Sequence, residues 1–164
     1  MPVEIERKFL VSGDAWRRSV SRSERFGQGY LATTPSSSIR VRLGEGRAWL
    51  GIKGRVVGMS RAEYEYEIPV AEASEILRDY CADGRLEKIR HWVGAGGREW
   101  EIDEFLGANA GLVVAELEIE SEAAEFERPA WLGREVTDDV RYYNASLARQ
   151  PYGGWTAREQ GEGE

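Results

Sequence analysis

Hydrophobic and polar residues alternate with a period of two through most of this chain. Val3, Ile5 and Phe9 interleave with Glu4, Glu6 and Lys8. Ile39, Val41 and Leu43 interleave with Arg40 and Arg42, and Tyr64, Tyr66 and Ile68 with Glu63, Glu65 and Glu67. Similar alternation surrounds Ile89, Ile102, Leu117 and Ile119. Alternate side chains of a strand point to opposite faces, so the pattern predicts strands over 3–11, 27–33, 38–44, 47–54, 61–69, 86–94, 98–105 and 112–120. Thr34-Pro35-Ser36, Gly44-Glu45-Gly46 and Gly94-Ala95-Gly96-Gly97 supply turns between them. Helical spacing is confined to 71–81, to 137–148 (opened by Thr137-Asp138-Asp139) and to a short stretch over 14–20. Strand dominance without a βαβ rhythm predicts a mainly β (α+β) antiparallel sheet, open or closed. Residues 1–156 are expected to form one domain, and 157–164, rich in Gly and Glu, a disordered tail.

The polar half of the alternation is largely charge, and charges of one sign cluster within a strand. Arg40 sits with Arg42, Lys88 with Arg90, Glu116 with Glu118 and Glu120, and Glu101 and Asp103 flank Ile102. A half-solvated sheet also carries a polar face, but such a face mixes signs to avoid like-charge neighbours. Carboxylates on some strands and guanidinium groups on others, all facing one way, suit a sheet curled around a ligand. Closing it into a barrel turns that face into a wet lumen. Crowded carboxylates call for a hard divalent cation such as Mg²⁺ or Mn²⁺, and opposing Arg and Lys for phosphate oxygens. A metal-bound oligophosphate satisfies both.

Composition narrows the partners. Twenty-nine acidic residues against 22 basic give a net charge of −7, which argues against non-specific nucleic-acid binding. A locally basic cleft still permits a polyanionic ligand. One cysteine, Cys81, and one histidine, His91, exclude an intramolecular disulfide and the usual zinc clusters. No apolar run approaches the ~18 residues that span a bilayer, and no signal-like segment opens the chain, so no membrane partner and a cytoplasmic location are expected. His91 lies on the opposite parity from Lys88 and Arg90 and is expected on the outer face. Trp49, Trp92 and Trp100 share parity with charged positions, so they belong either to the lumen mouth or to packing.

Glu4-Ile5-Glu6-Arg7-Lys8 resembles the Glu-x-Glu-x-Lys signature of the CYTH superfamily, the triphosphate tunnel metalloenzymes. The resemblance continues through Gln28-Gly29-Tyr30-Leu31, Ile39-Arg40-Val41-Arg42, Ile52-Lys53-Gly54 and Arg61-Ala62-Glu63-Tyr64-Glu65. It runs on through Glu87-Lys88-Ile89-Arg90, Trp100-Glu101-Ile102-Asp103, Ala115-Glu116-Leu117-Glu118, Gly133-Arg134-Glu135-Val136-Thr137 and Arg141-Tyr142. His91 and Gly51 depart from the usual Tyr and Thr beside these motifs. The resemblance implies a closed eight-stranded antiparallel barrel with a few helices outside, acting on triphosphates with Mg²⁺ or Mn²⁺. It implies metal-side carboxylates at Glu4, Glu6, Asp103, Glu116 and Glu118, and a phosphate clamp of Lys8, Arg40, Arg42, Lys53, Lys88, Arg90 and Arg141. Glu63 and Glu65 would hold a second metal or orient the basic residues. A homodimer is common among such proteins.

The expected reaction is direct attack by water on a phosphoanhydride, since no histidine or Ser/His pair is placed as a nucleophile. The resemblance suggests Lys8 paired with Tyr30 as the activating group, with cationic neighbours expected to lower the Lys8 pKa toward neutral. Inorganic triphosphate is the expected substrate, because no inserted segment is present to hold an organic group. Nucleoside or thiamine triphosphate hydrolysis, class IV-type adenylate cyclisation, and non-catalytic polyphosphate binding are the alternatives.

Overall fold

The computed structural model describes residues 2–161. Nine strands form one antiparallel sheet: β1 (Val3–Val11), β2 (Val20–Thr34), β3 (Ser37–Leu43), β4 (Ala48–Gly54), β5 (Ser60–Ile68), β6 (Arg85–Ala95), β7 (Arg98–Phe105), β8 (Val113–Glu118) and β9 (Leu132–Glu135). Eight of them close a ring in the order β5-β4-β3-β2-β6-β7-β8-β1, with β1 returning to β5. β1 is the seam. One edge pairs with β8, as in Glu6 opposite Glu118 and Lys8 opposite Glu116. The other edge is divided: Val3–Ile5 meet β5, while Phe9 and Val11 meet the short β9.

Outward-facing residues of the ring make two apolar layers. Phe9, Trp100, Ile102, Ala115 and Leu117 pack with Trp16 and Trp131, burying one side of the barrel. On the other side, α1 (Val70–Asp79) lays Ala73, Ile76 and Leu77 against Val41, Ala48 and Leu50. Gly29 is required here: a β-carbon would lie 2.3 Å from the Cys81 sulfur and 2.7 Å from Leu77. A third cluster contains inward-facing residues. Leu86 shares a strand face with Lys88, Phe105 with Asp103, and Val114 with Glu116, and they pack on Tyr142 and Leu147. The strand faces that carry charge in the lumen therefore turn apolar at one end, where α2 (Asn144–Arg149) sits.

Several expectations are corrected. β2 begins at Val20 rather than 27, and β9 was not anticipated. The helix expected over 14–20 is a 3₁₀ segment, Ala15–Ser19. The helix expected over 137–148 is split into a 3₁₀ turn, Val140–Tyr142, and α2, because Tyr143 is extended. Residues 157–161 form a turn. Thr156 and Glu159 exchange backbone-to-side-chain hydrogen bonds as in a capping box, and Gln160 Nε2 donates to the Tyr152 carbonyl. Residues 162–164 lie outside the described residues. Among the described residues no helix is long and apolar enough to cross a membrane.

Candidate active site

The ring encloses a cavity of about 960 Å³. Ten basic and ten acidic side chains line it, so the lumen is balanced inside a chain whose net charge is −7. Of the residues expected at the site, Glu4, Glu6, Lys8, Tyr30, Arg40, Arg42, Lys53, Glu63, Glu65, Lys88, Arg90, Glu116 and Glu118 all line it. They come from β1, β2, β3, β4, β5, β6 and β8, and strand parity puts each on the inner face.

Acids concentrate where β1 meets β5 and β8. Lys53 Nζ lies 2.9 Å from Glu4 and 3.2 Å from Glu63. Burial, then the neighbouring Glu4, raises the pKa of Glu6; burial with Glu4 and Glu6 raises that of Glu118. Three carboxylates thus share a region that holds Lys53 as a counter-charge. A divalent cation suits this surplus of oxygen donors. Among the described residues no three His, Cys, Asp or Glu side chains already converge as a finished coordination shell, so the cluster supplies donors that must still turn toward an ion.

Arg40, Arg42 and Arg90 form a second, basic cluster. Arg40 is buried beside Tyr30, opposite Gly51 of β4. Arg42 reaches Glu65 at 3.6 Å but keeps a buried Nε without a hydrogen-bond partner. Burial, then repulsion from Arg40 and Arg90, lowers its pKa. Gln28 and Asn144 were not anticipated as site residues. Asn144 Oδ1 accepts from Lys88 Nζ at 2.8 Å and from Gln28 Nε2 at 3.4 Å. No strand parity marks Asn144, because it enters from α2.

Two expected residues stand elsewhere. Asp103 is fully buried and does not line the cavity. Its carboxylate accepts from Arg90 Nε at 2.8 Å, Arg90 Nη2 at 2.9 Å and Lys88 Nζ at 2.7 Å, which leaves it as an anchor for two cations rather than a free metal ligand. Burial opposes its ionisation, but Arg90 and Lys88 hold its pKa well below the usual carboxylate range. Burial brings Lys88 down to about 8 despite Asp103. Arg141 is also absent from the lining. It grips Asp139 through Nε at 3.0 Å and Nη2 at 2.6 Å and donates to the Glu159 carbonyl.

The expected lowering of the Lys8 pKa is reversed. Burial alone would lower it, but Glu116, Glu6, Asp103 and Glu4 outweigh burial and raise it. Lys8 contacts Glu116 and the Tyr142 carbonyl, each at 3.5 Å, whereas Tyr30 accepts from Gln28 Nε2 at 3.4 Å. His91 is on the outer face, between Ser23 and Glu104, and Trp100 belongs to the outer core.

Glu101, opposite Trp92 and paired with Arg90, lines the lumen as well. Burial, only partly offset by Arg90, raises its pKa to about 7. The protonated form is favoured in the folded chain, so its contribution to stability is complete below the ordinary value of 4.5 and is lost as pH rises through about 7. Glu101→Gln, which mimics the acid form, is expected to raise the melting temperature at pH 8 and to leave it close to wild type at pH 5. Thermal unfolding at both pH values checks this; equal shifts at both would contradict it.

Known proteins share this architecture. The CYTH domain model matches residues 2–152. An inorganic triphosphatase of Acetivibrio thermocellus is 49% identical over 152 residues, covering 93% of this chain and 97% of the relative. An inorganic triphosphatase of Nitrosomonas europaea is 39% identical, covering 88% and 96%. The crystal structure of an inorganic triphosphatase superposes with a TM-score of 0.67 at 34% identity, covering 91% of this chain and 96% of that one. With its Glu-x-Glu-x-Lys strand at the seam and its charge-lined ring, this chain belongs to the CYTH domain family.

Proposed function

We propose that this chain hydrolyses inorganic triphosphate to phosphate and pyrophosphate in its lumen. The observation that carries the reading is the presence in one lumen of a carboxylate cluster, Glu4, Glu6 and Glu118, and an arginine cluster, Arg40, Arg42 and Arg90, each close enough to perturb its own members. The activity of the 49% and 39% identical relatives supports it. Arg42, buried with an unused donor, and Arg40 and Arg90 bind the phosphate oxygens and stabilise charge on them as the bond breaks. Lys8 stays cationic and holds a phosphate rather than taking a proton. Glu4, Glu6 and Glu118, with Glu116 beside Lys8, provide the oxygens for Mg²⁺ or Mn²⁺, and Glu63 and Glu65 orient Lys53 and Arg42. The bound ion would supply charge neutralisation and a more acidic water. Water attacks the terminal phosphorus in line; the new P–O bond forms as the bridging P–O bond breaks, pyrophosphate departs with the electron pair, and the proton lost by the water passes to the lumen solvent.

Phosphate release from inorganic triphosphate, adenosine triphosphate and thiamine triphosphate, each with Mg²⁺, Mn²⁺ or chelator, tests the proposal. Fastest turnover is expected with inorganic triphosphate, and none with chelator. Cyclic AMP from adenosine triphosphate, or binding without turnover, would overturn it. Glu118→Gln is expected to raise the divalent-ion concentration for half-maximal rate by about tenfold or more, since losing even an outer-shell partner of a metal has that effect. An unchanged ion dependence would remove Glu118 from the metal side.

A further inference from the structure

One end of the lumen is walled by aromatic rings. Phe26 lies 6.4 Å from both Trp49 and Trp92, centroid to centroid, and all three line the cavity. Trp92 follows Arg90 on the same face of β6, and Trp49 is opposite Arg42, so the wall stands directly beyond the cations. Such rings would ordinarily offer a stacking platform to any planar group attached to a phosphate chain. Here the chain's own guanidinium groups cover them. Arg22 sits over Trp92 at 3.5 Å, and Arg42 and Arg47 lie over Trp49 at 4.9 and 5.3 Å. Arg47 is fixed in turn by two hydrogen bonds to Glu67. Of the remaining aromatic residues of the lining, Tyr30 is held by Gln28 and Arg40, and Tyr143 lies under Lys8 at 5.3 Å.

We infer that Arg22, stacked on Trp92, is a specificity-determining residue that admits a bare triphosphate and turns away triphosphates carrying an aromatic ring. This rests on the proposal that a triphosphate occupies the lumen. A ring arriving at the mouth must displace a cation from an indole face, losing one cation–π contact for each stack it gains. Inorganic triphosphate needs no such exchange. The selectivity is built by obstruction of the competitor, not by added contacts to the favoured substrate. Simple electrostatic steering by Arg22 would affect both classes of triphosphate alike; obstruction changes their ratio.

The test compares wild type, Arg22→Ala, Trp92→Ala and the double variant. Binding of inorganic triphosphate and adenosine triphosphate is measured by calorimetry with Mg²⁺, and their turnover by phosphate release. Arg22→Ala is expected to shift the ratio toward adenosine triphosphate by about tenfold, the scale of a base–aromatic stack. The gain should vanish when Trp92 is also replaced, which a double-mutant cycle reads directly. An unchanged ratio in Arg22→Ala, or a gain that persists without Trp92, overturns the gate. Should the alanine at Trp92 prevent folding, Trp92→Leu keeps the bulk and removes the platform. Wild-type protein that binds neither triphosphate overturns the lumen assignment and the gate together; wild-type protein that binds inorganic triphosphate, with a fixed ratio, overturns the gate alone.

Discussion

Asp103→Ala is expected to lose ~3–5 kcal/mol of folding stability, the scale for breaking a buried ion pair by removing one partner. The residue is fully buried, and its two oxygens take three hydrogen bonds from Arg90 and Lys88. Without it, two cations remain in a site that already disfavours charge, as the depressed pKa of Lys88 records. Turnover should fall as well, because the Arg90 fork loses the carboxylate that fixes its plane. Urea unfolding gives the stability, and phosphate release the activity. The contrast with Glu118→Gln is informative: losing an anchor should leave the ion concentration for half-maximal rate of any residual activity unchanged. A shifted ion dependence in Asp103→Asn, which keeps the shape of the side chain, would return Asp103 to the metal ligands.

Arg42→Met is expected to behave in the opposite way, leaving the fold as stable as wild type or more stable while turnover falls about 100- to 1,000-fold, the scale for removing one preorganised transition-state donor. Arg42 is held among Arg40 and Arg90, has Glu65 as its near counter-charge at 3.6 Å, and keeps a buried Nε unpaired. An unsatisfied buried donor costs free energy in the folded state, and repulsion adds to it. A methionine stem fills the same volume against Phe26 and Trp49 without either penalty. Melting temperature and turnover measured together decide the matter. A large loss of stability would mean that Arg42 is structural rather than poised for a phosphate.

How much of this was readable in the chain depends on what parity can express. Alternation marked eight strands and the inner face of each, which is why Glu4, Arg42, Arg90 and Glu118 were found on one lumen. It cannot express depth along a strand. Asp103 shares a face with Glu101, yet one is sealed beneath two cations and the other borders the cavity. Nor can it express how non-strand segments turn. Asn144 and Arg141 are three residues apart, but the extended Tyr143 between them sends Asn144 toward Lys88 while Arg141 folds back on Asp139. β9 escaped notice because four residues, including Gly133, are too few to display alternation. The reversed pKa of Lys8 follows from the same limit, since adjacency in sequence does not give the identity of the neighbours across β8.

The divided edge of the seam strand has a bearing on assembly during synthesis. β1 leaves the ribosome before the other strands described, but the backbone of Lys8 finds its partner in Thr137, 129 residues later. The local hairpins of β2 through β5 and of β6 with β7 can zip up as they emerge and join through β2 and β6, whereas the seam waits for the most distant contacts, the slow class of folding event. An emerging chain therefore gathers the cations of its lumen early and completes its acidic cluster late, when Glu118 arrives beside Glu6. Closure of the ring and completion of the acidic cluster are one and the same step.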